Sequence, residues 1–134
     1  MAAAQPGPPI DWRALFASPV GRCPRPRFWL AAGSLFVVAG LYEAVSDETV
    51  KLATFWFVYP AVLASAACVA SKRLHDRGKS GWWAALVLIG VALIWRAPDT
   101  ARLLLAAPIL VWSAVELVML QGEEGANRFG PNPG

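Results

Sequence analysis

The side chains best suited to polar chemistry crowd into one stretch, SKRLHDRGKS, which contains Lys72, Arg73, His75, Asp76, Arg77, Lys79 and Ser80. Three chemistries suit such a set. An acid and base pair would use His75 and Asp76, but adjacent residues on a helix point in different directions and no nucleophile accompanies them. A phosphate loop would use Gly78, Lys79 and Ser80, yet that pattern also needs a glycine where Arg73 stands. Anion attraction asks for less. Arg73 and Arg77 share a helix face, Gly78 suits the position just past a helix C-terminus, and Ser80 can cap the next helix beside Lys79. Free N–H groups and the helix dipole would then face the same side as the basic residues. The competing reading is that these cations only set membrane topology.

Other polar residues extend or limit that reading. Arg22, Arg25, Asn127 and Arg128 lie near the two ends of the chain and join the candidate binding set. Glu43 and Glu116 fall in otherwise apolar stretches, where a carboxylate is costly unless paired, protonated or near water. Lys72 or Arg73 is expected to reach Glu116, while Glu43 is expected to reach headgroup water. If Glu116, with or without Glu43, instead faced a wet cavity, the chain would be a subunit of a small transporter or channel. Two cysteines, Cys23 and Cys68, and the single His75 offer no zinc motif. No metal or cofactor is expected, and the cysteines read as inert thiols.

The elements that must position these residues follow from composition. Hydrophobic residues make up 57% of the chain and charged residues 16%, with seven Trp and a mean hydropathy of +0.47. A soluble domain averages near 25% charged, so lipid is the better solvent for this chain. The net charge of +3 is too modest, and too concentrated beside apolar runs, for a nucleic-acid binder. Charge-free windows recur at 28–42, 52–71, 80–95 and 103–113, the last reaching 120 if Glu116 is tolerated. A span needs about 20 helical residues. The second window has them, the first and fourth reach about 18 when extended, and 80–95 would need bilayer thinning or snorkelling by Arg96. Segment 80–95 is therefore either a short span or a re-entrant helix.

The expected fold is all-α: a polytopic four-helix transmembrane bundle, with segment 1–27, helices within 28–120, a loop at 72–80 and a tail at 121–134. Phe28, Trp29, Trp82 and Trp83 mark one interface, and Tyr42, Trp56 and Trp95 fall toward the other. For Trp56, packing inside the bundle is the preferred alternative, as it is for Trp112. Arg13, Arg22, Arg25, Arg27, Lys72, Arg73, Arg77, Lys79 and Arg128 share one side, against Lys51, Arg96 and Arg102 on the other. The positive-inside rule then puts both termini and the 72–80 loop in the cytoplasm. Pro60 and Pro108 are expected to kink their spans without functional meaning. Gly33, Gly40, Ala64 and Ala67 permit close helix packing and leave a homo-oligomer open.

Three blocks of residues resemble a known family. Trp12, Leu15, Phe16, Gly21, Arg22, Arg25, Phe28 and Trp29 look like its opening signature. Arg73, Leu74, His75, Asp76, Gly78, Ser80, Gly81, Trp82 and Trp83 are similar to its central RLHD and SGWW motif. Gly125, Asn127, Arg128, Phe129, Gly130, Pro131 and Pro133 resemble its closing pattern. The family is the domain of unknown function 805 group of small bacterial inner-membrane proteins, and the likeness covers residues 10 to 133. Lys72, Phe129 and Asn132 depart from it mildly. The resemblance implies location without activity. It also suggests that the three blocks form one cytoplasmic surface, with the tail beneath the loop. The expected protein is a non-enzymatic inner-membrane protein whose basic face binds anionic lipid headgroups or a protein partner.

Overall fold

The computed structural model describes residues 9–95 and 99–133. A short helix, α1 (Trp12–Ala17), precedes α2 (Arg25–Val45), α3 (Glu48–Asp76), α4 (Trp83–Ile94) and α5 (Thr100–Ser113), which continues as a π-helical turn, Ala114–Met119. Every named element among the described residues is helical, and β pairing there is confined to one isolated bridge in the tail between Asn127 and Gly130. Aspartates open three of the helices. Asp11 accepts from the Ala14 N–H, Asp47 from Val50 and Asp99 from Arg102, each satisfying a first-turn donor that has no intrahelical partner.

Three helices are long and apolar enough to cross a membrane: Arg25–Val45, Glu48–Asp76 and the continuous Thr100–Met119. The fourth expected span is shorter. Helix α4 has 12 residues and rises only about 18 Å, well short of a hydrocarbon core of roughly 30 Å. It begins at Trp83 because Ser80 does not cap it in the expected way. A tight turn forms first, with Trp83 N–H bonded to the Ser80 carbonyl and Ala84 N–H to the Gly81 carbonyl, which uses up three positions of the apolar window. Arg96 and the segment 96–98, expected to anchor this span and its loop, lie outside the described residues.

At its other end α3 stops as expected. Gly78 has φ +68°, its N–H bonds the His75 carbonyl, and the Lys79 N–H bonds the Leu74 carbonyl. This is the paired closure that a left-handed residue after a helix permits, and glycine adopts that conformation without a Cβ penalty. Chain direction alternates, and one end of the bundle collects the α3 C-terminus, the segment before α2, the tail after the π-helical turn and the turn into α4.

The buried core sits at that end, among Leu15, Cys23, Phe28, Val69, Leu74 and Leu117. Away from it, α2 exposes Leu30, Phe36, Val37 and Leu41, and α3 exposes Leu52, Trp56, Phe57 and Leu63. Apolar faces this extensive suit acyl chains as neighbours. Trp56 is 70% exposed, so it lies on the outside of the bundle rather than packed within it. Phe28 is buried in the core. Trp112 does pack inward, with its ring 5.4 Å from that of Trp83.

Candidate functional site: an arginine clamp on a buried aspartate

The last turn of α3 delivers Arg73 and Asp76 to the same side, three residues apart, and their side chains meet at 2.6 Å. The extended segment before α2 brings Arg22 to the other carboxylate oxygen of Asp76, with Nε at 3.0 Å. All three side chains are essentially inaccessible: 1% exposed for Arg22, 0% for Arg73 and 4% for Asp76. Two guanidinium groups on one carboxylate leave an excess positive charge, and backbone carbonyls answer it. Arg73 also donates to the carbonyls of Leu117 at 2.9 Å, Leu120 at 2.6 Å and Cys23 at 3.4 Å. Arg22 donates to those of Glu123 and Gly125, each at 2.6 Å, and of Gly130 at 3.4 Å.

The π-helical turn has a physical reason here. Its wider winding, together with the chain's exit at Leu120, leaves the Leu117 and Leu120 carbonyls free to accept from Arg73. Gly122 lies so close that a Cβ there would strike the Asp76 carboxylate, and the next N–H, that of Glu123, donates to the Asp76 carbonyl at 2.8 Å. The backbone of Asp76 thus holds the tail directly, while its carboxylate holds the Arg22 side chain that bonds the tail carbonyls.

His75 faces away from Asp76. Its Nδ1 lies 3.1 Å from the Gly21 carbonyl, and its ring stacks on Phe129 with centroids 3.9 Å apart and planes 10° from parallel. Arg128 lies over the Phe129 ring at 4.6 Å and donates to the Gly78 carbonyl at 3.2 Å. Asn127 donates through Nδ2 to the His75 carbonyl and the Glu123 carboxylate, each at 2.9 Å, and its own Oδ1 accepts from the Phe129 N–H. The three sequence blocks therefore meet in one knot: the opening block through Gly21 and Arg22, the central block through Arg73 to Gly78, and the tail through Glu123 to Gly130.

Glu116 has other partners than expected. Arg77 Nε and Lys79 Nζ each lie 3.4 Å from it, on separate oxygens. Arg73 cannot reach it because its guanidinium is turned into the knot, and Lys72 donates to the Ala14 carbonyl of α1. Glu43 pairs with Lys51 at 3.0 Å and accepts from the Tyr59 hydroxyl at the far end of the bundle. The two carboxylates are thus placed on ion pairs at opposite ends. Arg77 also donates to the Gln121 carbonyl at 2.6 Å. Ser80 Oγ stands 3.5 Å from the Trp82 N–H, and Arg25 and Arg128 remain exposed.

Cys23 and Cys68 are free thiols. Burial pushes the Cys23 thiol up to about 11, outweighing the nearby Arg73 and Lys72 that favour the thiolate. Among the described residues no three His, Cys, Asp or Glu side chains cluster to hold a metal ion. The arrangement itself is a closed hydrogen-bonded junction: Asp76 spends both oxygens on guanidinium groups, and His75 is occupied by a carbonyl and an aromatic face. Sequence reasoning missed what Arg22 and Arg73 bind, because backbone carbonyls have no side-chain signature. The positive φ values of Gly125 and Gly130 reflect the turning of those carbonyls.

A family model described as "Protein of unknown function (DUF805)" matches residues 16–131. The chain is 31% identical over 121 residues, 82% of each sequence, to "Uncharacterized protein YiiR" of Escherichia coli (strain K12) and equally to that of Escherichia coli O157:H7. No solved structure matches. The matched region runs from Phe16, beside the Arg22 segment, to Pro131 at the end of the knotted tail, and the chain belongs to the DUF805 family.

Proposed function

We propose that the chain is a non-enzymatic, multi-pass protein of the bacterial inner membrane, with both termini cytoplasmic, whose knotted end holds exposed cations against anionic lipid headgroups. The supporting observation is a division of labour among the arginines. Arg22 and Arg73 are consumed inside the knot by Asp76 and carbonyls, while Arg13, Arg25 and Arg128 stay exposed around it. Lys79 keeps 39% of its side chain in the open despite its Glu116 pair. The buried groups serve as scaffold and the exposed ones as the binding surface. Each exposed Lys or Arg near an anionic membrane surface contributes about 1 kcal/mol, screened by salt, so four together discriminate without a shaped pocket.

Native mass spectrometry of the protein released from vesicles of mixed phosphatidylglycerol and phosphatidylcholine tests this. The wild-type chain retains phosphatidylglycerol preferentially at low salt, and Arg25→Gln with Arg128→Gln weakens that preference. An unchanged preference in the double variant would refute the reading. A reporter fused after the last residue should be active in the form specific to the cytoplasm, and periplasmic activity would overturn the orientation.

A further inference from the structure

A crevice with a volume of about 490 Å³ runs between α2, α3 and α4 and reaches the first turn of α5. Its size lies within the roughly 300 to 1,000 Å³ usual for small-ligand sites. It exists because α4 is short: twelve residues cannot close the groove between two helices of 21 and 29 residues. The floor is apolar, formed by residues such as Phe28, Leu35, Val62, Val69 and Val87. Phe36 and Leu63, which are exposed, line the crevice, so it opens sideways toward the surroundings of the bundle. From Phe28 to Tyr42 it follows α2 for about 21 Å, more than the roughly 15 Å depth of one leaflet's hydrocarbon.

At the far end the lining changes character. Tyr42, Trp95 and Arg102 stand together there, and Arg102 is the one charged side chain on the lining among the described residues. Its internal partner, Asp99, lies 3.4 Å away with both side chains more than half exposed, a pairing that contributes little in solvent. Water gains nothing in the apolar part, where it finds no polar partners, and an empty crevice forfeits dispersion contacts along its walls. The occupant must be apolar along its length and anionic at one end, and guanidinium binds phosphate in a two-point fork.

We infer that this crevice binds one acyl chain of an anionic phospholipid, with the lipid phosphate on Arg102 at the level of Tyr42 and Trp95. The phosphate end of this site, at Arg102, lies at the end of the bundle opposite the Asp76 knot and does not depend on the headgroup surface proposed there.

The test is native mass spectrometry of the full chain in mild detergent after extraction from vesicles with equal phosphatidylglycerol and phosphatidylcholine. Wild type should carry one tightly held phosphatidylglycerol per protomer. Arg102→Gln should keep a bound lipid but reduce the preference for phosphatidylglycerol about tenfold. Ala92→Phe, which fills the crevice, should release both lipids, with helical circular dichroism confirming that the variant is folded. Should Ala92→Phe fail to fold, Ala66→Leu, a smaller filling of the same crevice, replaces it and should likewise lower retention. Arg25→Gln with Arg128→Gln should leave this tightly held lipid in place, which separates the crevice from the opposite face. Wild type without bound lipid, recovery of free fatty acid in place of phospholipid, an unchanged lipid ratio in Arg102→Gln, or full retention in a folded filled variant would each overturn the assignment.

Discussion

Arg22 and Asp76 sit 54 positions apart in the chain, yet the Arg22 Nε lies 3.0 Å from an Asp76 oxygen with almost no solvent on either side chain. The pair is held in place by what surrounds it. Arg73 takes the second oxygen, and tail carbonyls take the remaining Arg22 donors. Three separated segments are thereby joined by one carboxylate. Removing a partner from such a cluster differs from removing a surface charge, because the groups left behind remain buried.

Asp76→Asn should therefore be the most damaging isosteric change in the chain. It leaves two buried guanidinium groups with no counter-charge, and a buried pair broken on one side typically costs about 3 to 5 kcal/mol. Thermal unfolding in detergent, followed by circular dichroism, should show a large drop for Asp76→Asn. Arg22→Gln should cost less, since Arg73 still neutralises the carboxylate. Equal and negligible shifts for both would show that the cluster is not a structural joint.

The sequence revealed part of this arrangement and hid the rest. Charge-free windows marked the helices because lipid tolerates few charges, and Gly78 marked the end of α3 because few other residues take its φ. The three blocks were recognisable, and they meet. What could not be seen was direction. Arg22 and Arg73 read in the sequence as part of an anion-binding surface, and Arg73 as a partner for Glu116, since the carbonyls of Leu117, Leu120, Glu123 and Gly125 carry no mark there. The shortness of α4 was legible in part, since 80–95 falls short of a span, but its further loss to twelve residues was not, because the turn through Gly81 and Trp82 consumes apolar residues that a window analysis counts as span.

The tail should open when its aromatic contact is lost. Phe129 stacks on His75 and supports Arg128, and contacts of this type contribute about 0.5 to 1.5 kcal/mol beyond area burial. In Phe129→Ala, trypsin should cut after Arg128 up to about tenfold faster than in wild type, the factor corresponding to about 1.4 kcal/mol. Phe129→Tyr preserves the ring and should retain wild-type protection. Equal cleavage in all three would show that the stack does not hold the tail.

Cys23 offers a chemical reporter of the same junction. With the thiol pushed up to about 11 by burial, very little of it is thiolate near neutral pH, and the thiolate is the reactive form. Maleimide labelling mapped to Cys23 should be slow in the intact protein and should accelerate as pH rises toward that value. Asp76→Asn, by loosening the Arg73 contact with the Cys23 carbonyl, should accelerate it at neutral pH. Rapid labelling of wild-type Cys23 at pH 7.5 would contradict the burial.

Gly122 is required by distance alone. A side chain there would strike the Asp76 carboxylate, and the carboxylate cannot retreat because both its oxygens are engaged. Gly122→Ala should lower thermal stability by about 1 to 3 kcal/mol, the usual cost of overpacking. Gly33→Ala, at a helix position where a Cβ meets nothing within 4 Å, is the control. It should be neutral or stabilising, since alanine favours helix over glycine by about 1 kcal/mol. A Gly122→Ala protein as stable as the control would show that the tail can shift without loss.

Glu116 provides the contrast that defines the knot. It faces Arg77 and Lys79 at 3.4 Å with 13% of its side chain exposed, and those cations are themselves 23% and 39% exposed. When Glu116→Gln removes the charge, both partners can turn toward water, and Arg77 keeps the Gln121 carbonyl as an acceptor. Pairs that can resolvate are worth about 0 to 1 kcal/mol. Glu116→Gln should therefore unfold near the wild-type temperature while Asp76→Asn falls far below it, although both remove one carboxylate facing two cations. If the two variants were equally destabilised, burial would not be the variable that separates them. The carbonyl cage around Arg22 and Arg73 would then lose its claim as the joint between the three segments.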